Sequence, residues 1–152
     1  MKTRKPLLFV MIAEFLIILV LAYNVFAAYQ ERQNIKELFI NQSYFPLKDA
    51  SANIESENYD DAILNFVELD AIFTMFRRET NGDFYYNDPG FWGVSADIIR
   101  GKGYTPSDLA STENEIQEAI TSLSDDTGIA ENPELSYREL NDIFNPIYGC
   151  LE

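Results

Sequence analysis

Histidine is absent from this 152-residue sequence, and its absence excludes several classes of chemistry. Without histidine the chain cannot form a Ser-His-Asp or Cys-His catalytic site, a histidine-ligated haem or an ordinary histidine-containing zinc site. Neither of the standard glycine-rich phosphate-binding motifs is present either. We therefore predict that the protein is not an enzyme, that it has no catalytic residues, and that it binds no cofactor or small-molecule substrate.

Cysteine occurs once, as Cys150, so no disulfide can form within the chain and the fold must be stable without one. No histidine is available to activate this thiol, and we expect it to be inert. Five carboxylates stand in acidic stretches that offer oxygen ligands for Ca²⁺: Asp83, Asp88, Asp125, Asp126 and Glu131. Their spacing does not follow the EF-hand loop, and we assign no metal site to them.

Basic residues are scarce, with 11 of them against 25 acidic ones. Residues 30–152 hold 24 of the acids and 8 of the bases, which is a formal charge of −16. The same stretch contains 16 aromatic residues, which argues against disorder despite the charge. Because so acidic a surface repels nucleic acid and anionic lipid headgroups, we expect its partners to be cationic, neutral or apolar.

One long apolar run, from Leu7 to Tyr29, is the most informative part of the sequence. Its 23 residues include only two strongly polar side chains, Glu14 and Asn24. A membrane-spanning helix needs roughly 20 mostly apolar residues. The Leu, Ile, Phe and Val residues of the run contribute roughly −4 to −8 kcal/mol to insertion, against about +3 kcal/mol for one acid. The run therefore predicts a single transmembrane helix over residues 7–29, in contact with membrane lipid.

The charges that flank this run predict its orientation. Lys2, Arg4 and Lys5 precede it, and no acid does. The positive-inside rule places such an N-terminus in the cytoplasm. Residues 1–6 are then a cytoplasmic tail and residues 30–152 an acidic extracytoplasmic helical domain.

A signal peptide cleaved after Ala27 is the alternative, because Val25-Phe26-Ala27 ends in a small residue. The apolar core of a signal peptide is usually about 7–15 residues long, and this run is longer. The helical pattern also continues without a break into residues 30–33. We therefore interpret the run as an uncleaved signal-anchor.

Glu14 is an acid inside the predicted membrane helix, and such residues usually face protein or water. At 1.5 Å per residue it lies about 10 Å along the helix from Leu7. One interpretation is that Glu14 is protonated or reaches toward the cytoplasmic interface. The other is that it contacts a partner helix, which makes it a candidate partner-binding residue.

A basic leader, an apolar helix with one glutamate and an amphipathic continuation together resemble the N-terminus of a type IV pilin. The resemblance covers about 25 residues, and Ala27-Ala28-Tyr29-Gln30 looks like the pilin sequence at the end of the apolar run. The resemblance implies a subunit that polymerises through its N-terminal helix. The glycine that precedes the pilin processing site has no counterpart here, since the first glycine of the chain is Gly82.

After the apolar run the pattern is helical throughout, with no strand-like alternation. We predict a stalk that ends near Ile40, a restart at Pro46, and a helix capped by Asn58. Further helices are predicted over 47–57, over 94–100, from Thr105 to Ser124, and from the capping box that begins at Ser136. The predicted fold is all-α: a transmembrane helix that continues into a stalk, followed by a small antiparallel helical bundle.

Between two of these helices, Glu79 to Gly93 is rich in turn signals and aromatic residues. One interpretation is that the aromatic side chains plug the end of the bundle. The other is a partner-binding patch, because Tyr and Trp often anchor interfaces. The candidate partner-binding residues are therefore Glu14, Tyr85, Tyr86, Phe91 and Trp92.

These features favour an accessory or structural subunit of a membrane or cell-envelope complex, which acts by protein–protein interaction with other subunits. A pilin-like subunit is the first alternative. The second is a sensor-like ectodomain, which the short cytoplasmic tail disfavours because about six residues cannot form an output domain.

Overall fold

The computed structural model describes residues 4–79, 93–99, 101–124 and 135–151. Within these ranges the chain forms six α-helices and no β-strand, which confirms the predicted all-α class. The helices are α1 (Arg4–Glu55), α2 (Tyr59–Glu79), α3 (Gly93–Ile99), α4 (Pro106–Ser111), α5 (Glu113–Leu123) and α6 (Tyr137–Gly149).

The chain divides into two units, one that ends at Asn34 and one that begins at Ile35. The first unit contains the N-terminal part of α1. The second contains the rest of α1 and the five shorter helices, which form the predicted small bundle around one core. The predicted domain boundaries after residues 6 and 29 stay predictions.

The expected break in the first helix near Ile40 and Pro46 was wrong, because α1 continues to Glu55. Proline has no amide hydrogen, so Pro46 leaves the carbonyl of Gln42 without its helical donor, at a cost of about 3 kcal/mol. Ile40 and Leu47 are fully buried on either side of it. Each buried aliphatic side chain contributes about 1.5–3 kcal/mol, which together offset that cost.

A tight turn joins α1 to α2. Glu57 has a left-handed backbone with φ of 59°, and the amide of Asn58 donates to the carbonyl of Asn53 at 2.8 Å. This is the geometry that commonly ends a helix. The side chain of Asn53 also donates to Asn65 of α2 at 2.9 Å, so the two helices form a hairpin.

Aromatic side chains make up the centre of the core in the second unit. Phe39 of α1 packs against Phe73 and Phe76 of α2 and against Phe144 of α6, with ring centroids 4.9–5.5 Å apart. Most of these pairs meet edge to face, which is a favourable arrangement for aromatic rings. Residues far apart in the sequence, on three helices, therefore meet at one point.

The two predicted helix starts that follow are confirmed. Thr105 caps α4 in a capping box with Asp108, and Ser136 caps α6 in a capping box with Glu139. The single helix expected from Thr105 to Ser124 is instead two helices. Thr112 separates them: it is fully buried, and its hydroxyl donates to the carbonyl of Leu109 at 2.7 Å.

Candidate functional site

The apolar part of α1 in the first unit is uncovered. Every residue from Val10 to Arg32 is exposed, and the large apolar side chains between Val10 and Tyr29 expose 48–71 % of their surface. The most apolar window of the helix has a mean hydropathy of 2.3 over 18 residues. By length and composition, this helix can cross a membrane.

Apolar side chains cover all sides of this helix, not one stripe. The seven residues from Phe15 to Leu21 are all large and apolar, and they make nearly two complete turns. A helix that is apolar on every side is typical of a protein core or a membrane span, and contiguous exposed apolar patches of this size are rare on proteins in water. Its chemistry fits contact with lipid tails.

Glu14 lies on this exposed apolar surface. Among the residues that the structure describes, it has no hydrogen-bond or ion-pair partner. The remaining candidate partner-binding residues, Tyr85, Tyr86, Phe91 and Trp92, lie outside the described residues, and their role stays a prediction. The same applies to the acidic stretches considered for Ca²⁺. Within the described ranges, no group of three or more acidic or cysteine side chains can hold a metal ion.

A groove with a cavity of about 350 Å³ lies between α5 and α6 in the second unit. Four carboxylates line it, together with apolar side chains and one serine. We call it the acidic groove, and its lining residues are Glu115, Glu118, Ala119, Ser122, Leu135, Glu139, Asp142, Ile143 and Pro146. They recur at helical spacing on the two facing helices, a signal that sequence reasoning could have used and missed.

The charge around the acidic groove is strongly negative. The amide and hydroxyl of Ser136 donate to Glu139 at 2.7 and 2.6 Å, and these hydrogen bonds hold the pKa of that carboxyl below its usual value. Lys36 brings a positive charge to the groove, where it donates to the carbonyl of Leu135 at 3.0 Å. Residues 106–152 contain 11 acids and the single base Arg138. An apolar group flanked by positive charge is the chemistry that this groove fits.

A second polar site is buried where α2, α3 and α6 meet. Asp70 is only 6 % exposed, and its Oδ2 accepts hydrogen bonds from the amide and the hydroxyl of Ser95, both at 2.7 Å. Its Oδ1 accepts a hydrogen bond from the hydroxyl of Tyr148 at 3.2 Å. Gly93, with φ of +55°, lies so close that a Cβ there would overlap the Asp70 carboxylate. We call these four residues the Asp70 cluster.

Burial raises the pKa of Asp70 above its ordinary value, and the nearby charge of Asp97 adds to this, while the hydrogen bonds from Ser95 and Tyr148 oppose it. Asp97 accepts hydrogen bonds from the Tyr104 hydroxyl at 2.8 Å and from Lys102 at 3.1 Å. Burial and the hydrogen bond to Asp97 raise the pKa of Tyr104. Sequence reasoning missed both carboxylates, because their partners are set by the fold.

Comparisons with models of protein families, with curated proteins and with solved structures give no match for this chain.

Proposed function

We propose that this protein is a single-pass membrane protein that acts by protein–protein contact, as an accessory or structural subunit of a membrane or cell-envelope complex. In this proposal residues 7–29 cross the bilayer, residues 1–6 are cytoplasmic, and residues 30–152 form an acidic helical domain outside the cytoplasm.

The observation that carries the proposal is the uncovered apolar surface of α1. At 1.5 Å per residue, the stretch from Val10 to Tyr29 is about 30 Å long, which matches the hydrocarbon thickness of a bilayer. Fourteen large apolar side chains between these two residues are exposed. Leaving that much apolar surface in water costs about 25 cal/mol per Å², which supports lipid as the surroundings of this helix.

The flanking charges support the proposed orientation. Three bases, Lys2, Arg4 and Lys5, precede the apolar run, and short basic segments stay on the cytoplasmic side. The high negative charge of residues 30–152 has little effect on orientation, because acidic residues contribute little to the positive-inside rule.

Two features support a role in protein contact. Glu14 places an acid among apolar side chains, where a hydrogen-bonding partner in another helix would compensate it. The acidic groove combines apolar side chains such as Ile143 with a rim of carboxylates such as Glu118. Such a groove complements a partner segment with an apolar side chain next to Lys or Arg, because opposite charges steer and orient association.

The membrane part of the proposal is tested by extraction and by protease access. We expect the full-length protein to stay in the membrane pellet after an alkaline carbonate wash, and external protease to digest residues 30–152 in intact cells. Release of the protein by carbonate would contradict the anchor, and residues 30–152 that external protease leaves intact would contradict its orientation.

The contact part is tested by site-specific photo-crosslinking in the same membranes. A photoreactive residue at Glu14, Glu118 or Ile143 should give adducts with a second protein, whereas one at Asp60, exposed in the first turn of α2, should not. Adducts only with lipid, or equal adducts from all positions, would remove the contact role and leave the anchor in place.

A pilin-like subunit is the second candidate, and the unbroken course of α1 favours it. The helix carries an apolar first part with one glutamate and continues into the bundle as a single helix to Glu55. This is the organisation that the resemblance to type IV pilins implies. Intact mass measurement distinguishes the candidates: a pilin-like subunit loses its basic leader and gains a methylated N-terminus, whereas a retained Met1 excludes it.

A further inference from the structure

The Asp70 cluster buries a carboxylate at a junction of three helices, and none of the cations that the structure describes compensates it. Asp70 accepts three hydrogen bonds, two from Ser95 of α3 and one from Tyr148 of α6. Within the described residues it forms no ion pair. A buried charge without a counter-charge is costly, even when it is hydrogen-bonded.

We propose that the Asp70 cluster is a proton-operated clasp, which holds α3 more tightly to α2 and α6 when the surrounding pH falls. The proposal does not depend on the membrane assignment, because all of its residues lie in the second unit.

The geometry of α3 makes this helix the moving part of the clasp. It is only seven residues long, and a helix this short is marginal without tertiary contacts. Val94 buries its side chain in the core, but Ile98 and Ile99 are 43 % and 85 % exposed. The hydrogen bonds from Ser95 to Asp70 therefore contribute to holding α3 in place.

The direction of the pH effect follows from the charges that face Asp70. Asp97 of α3 adds a second negative charge, and it accepts hydrogen bonds from Tyr104 and Lys102 in the connection to α4. From α6 the facing titratable group is Tyr148. Tyrosine and lysine side chains keep their protons in the acid range, so carboxylates are the groups that change.

We call the clasp closed when Ser95 is bonded to Asp70 and open when α3 is detached from α2. Protonation of Asp70 removes two costs of the closed state: the burial of its charge and the repulsion from Asp97. Burial and the charge of Asp97 both raise the pKa of Asp70 above 3.8, so the closed state binds the proton at a higher pH than an open state does. The closed state is therefore stabilised as pH falls through the raised pKa, and this stabilisation is absent at neutral pH. A protonated carboxyl can still accept a hydrogen bond from Ser95 and donate one in return.

Hydrogen exchange of the full-length protein in lipid nanodiscs tests the clasp. We expect the protection factor of the α3 amides, corrected for intrinsic exchange, to rise by at least about twofold from about pH 7.5 to about pH 4.5. The amides of α5 serve as the internal reference. In Asp70→Asn the α3 protection should no longer change with pH, because the side chain is neutral throughout.

A matched variant distinguishes the effect of Asp97 from that of Asp70. Asp97→Asn should keep the rise in α3 protection and reduce its size, since Asp97 only adds to the effect of burial. A wild-type α3 protection that does not change with pH would overturn the proposal. So would an unchanged pH response in Asp70→Asn, or a response that only Asp97→Asn abolishes.

A second measurement uses the wild type alone. It tests the clasp even if Asp70→Asn misfolds, which a loss of protection in α5 would reveal. The ¹³C carboxyl resonance of Asp70 should titrate in the same pH interval as the α3 protection. A resonance that titrates in a different interval would show that another group controls α3.

Discussion

Both units of this protein contain part of α1, and both parts carry similar apolar side chains. These side chains are exposed in the first unit, and several of them are buried in the second. In the first unit Ile17 is 59 % exposed, whereas Ile40 and Leu47 in the second unit are fully buried. Residue type and secondary structure are the same in both places, so neither explains the difference. What differs is the cover: α2 and α6 pack on the second part of α1, whereas none of the residues that the structure describes buries the first. In our proposal lipid supplies the cover that the described part of the chain does not give to this helix.

The largest expected effect comes from charging the uncovered surface. Leu16→Arg combined with Leu19→Arg adds about 6 kcal/mol to the cost of insertion, which cancels most or all of the roughly −4 to −8 kcal/mol from the apolar side chains. We expect most of the double variant to leave the membrane pellet in a carbonate extraction. Phe45→Arg is the matched control, because Phe45 is 64 % exposed on α1 in the second unit. If the double variant stays in the pellet as Phe45→Arg does, the proposed lipid contact of the first part of α1 is contradicted.

The next effect tests whether the second unit is covered by its own chain. Phe39 is 1 % exposed and packs on the rings of Phe73, Phe76 and Phe144, so Phe39→Ala should lower the free energy of unfolding of the bundle by about 3–5 kcal/mol. Its neighbour Leu38 is 49 % exposed, and Leu38→Ala should change this energy by less than about 0.5 kcal/mol. Urea unfolding followed by near-ultraviolet circular dichroism measures both. Equal effects of the two substitutions would contradict the described core.

A smaller effect is expected at the junction of α2 and α3. Gly93→Ala places a Cβ where the Asp70 carboxylate lies and strains a backbone of positive φ, so we expect a loss of about 1–3 kcal/mol. A Cβ on Gly103 would meet nothing within 4 Å, and Gly103→Ala should be nearly neutral. Urea unfolding midpoints of the two variants make the comparison, and a Gly93→Ala variant as stable as the wild type would show that the junction is loose.

The smallest effect concerns the cap of α6 and depends on pH. Ser136→Ala removes a capping box and should cost about 1 kcal/mol at neutral pH. Hydrogen bonds from Ser136 lower the pKa of Glu139, so their stabilisation is present above the ordinary value of 4.5 and is lost as pH falls through the lowered pKa. The stability difference between wild type and variant should therefore shrink on acidification.

Ser107→Ala, at an exposed position in the first turn of α4, is the control for this cap. A stability difference between Ser136→Ala and wild type that stays constant from neutral to acid pH would show that Glu139 does not respond to Ser136.

Local signals in the sequence predicted much of this fold. Thr105 followed by Pro106, and Ser136 followed by Glu139, fix helix starts within four residues, and the structure confirms both. The long apolar run predicted a helix of spanning length on hydropathy alone. In each case the residues that determine the structure are neighbours in sequence, so the sequence pattern alone is enough to predict it.

The features that sequence reasoning missed depend on contacts between distant residues. Pro46 reads as a helix break, and only the burial of its neighbours shows why the helix continues. The hydroxyl of Tyr148 reaches Asp70 across 78 positions of sequence, and no local pattern signals that contact. The acidic groove likewise forms only when α5 and α6 lie side by side.

The central claim, that residues 7–29 lie in lipid, is tested most directly by cysteine accessibility. The chain has one cysteine, so Cys150→Ser gives a background in which single cysteines can be placed at Ile18 and at Asp60. In native membranes we predict that a water-soluble maleimide leaves position 18 unlabelled and labels position 60 from outside intact cells. Labelling of position 18 in intact membranes would contradict the claim.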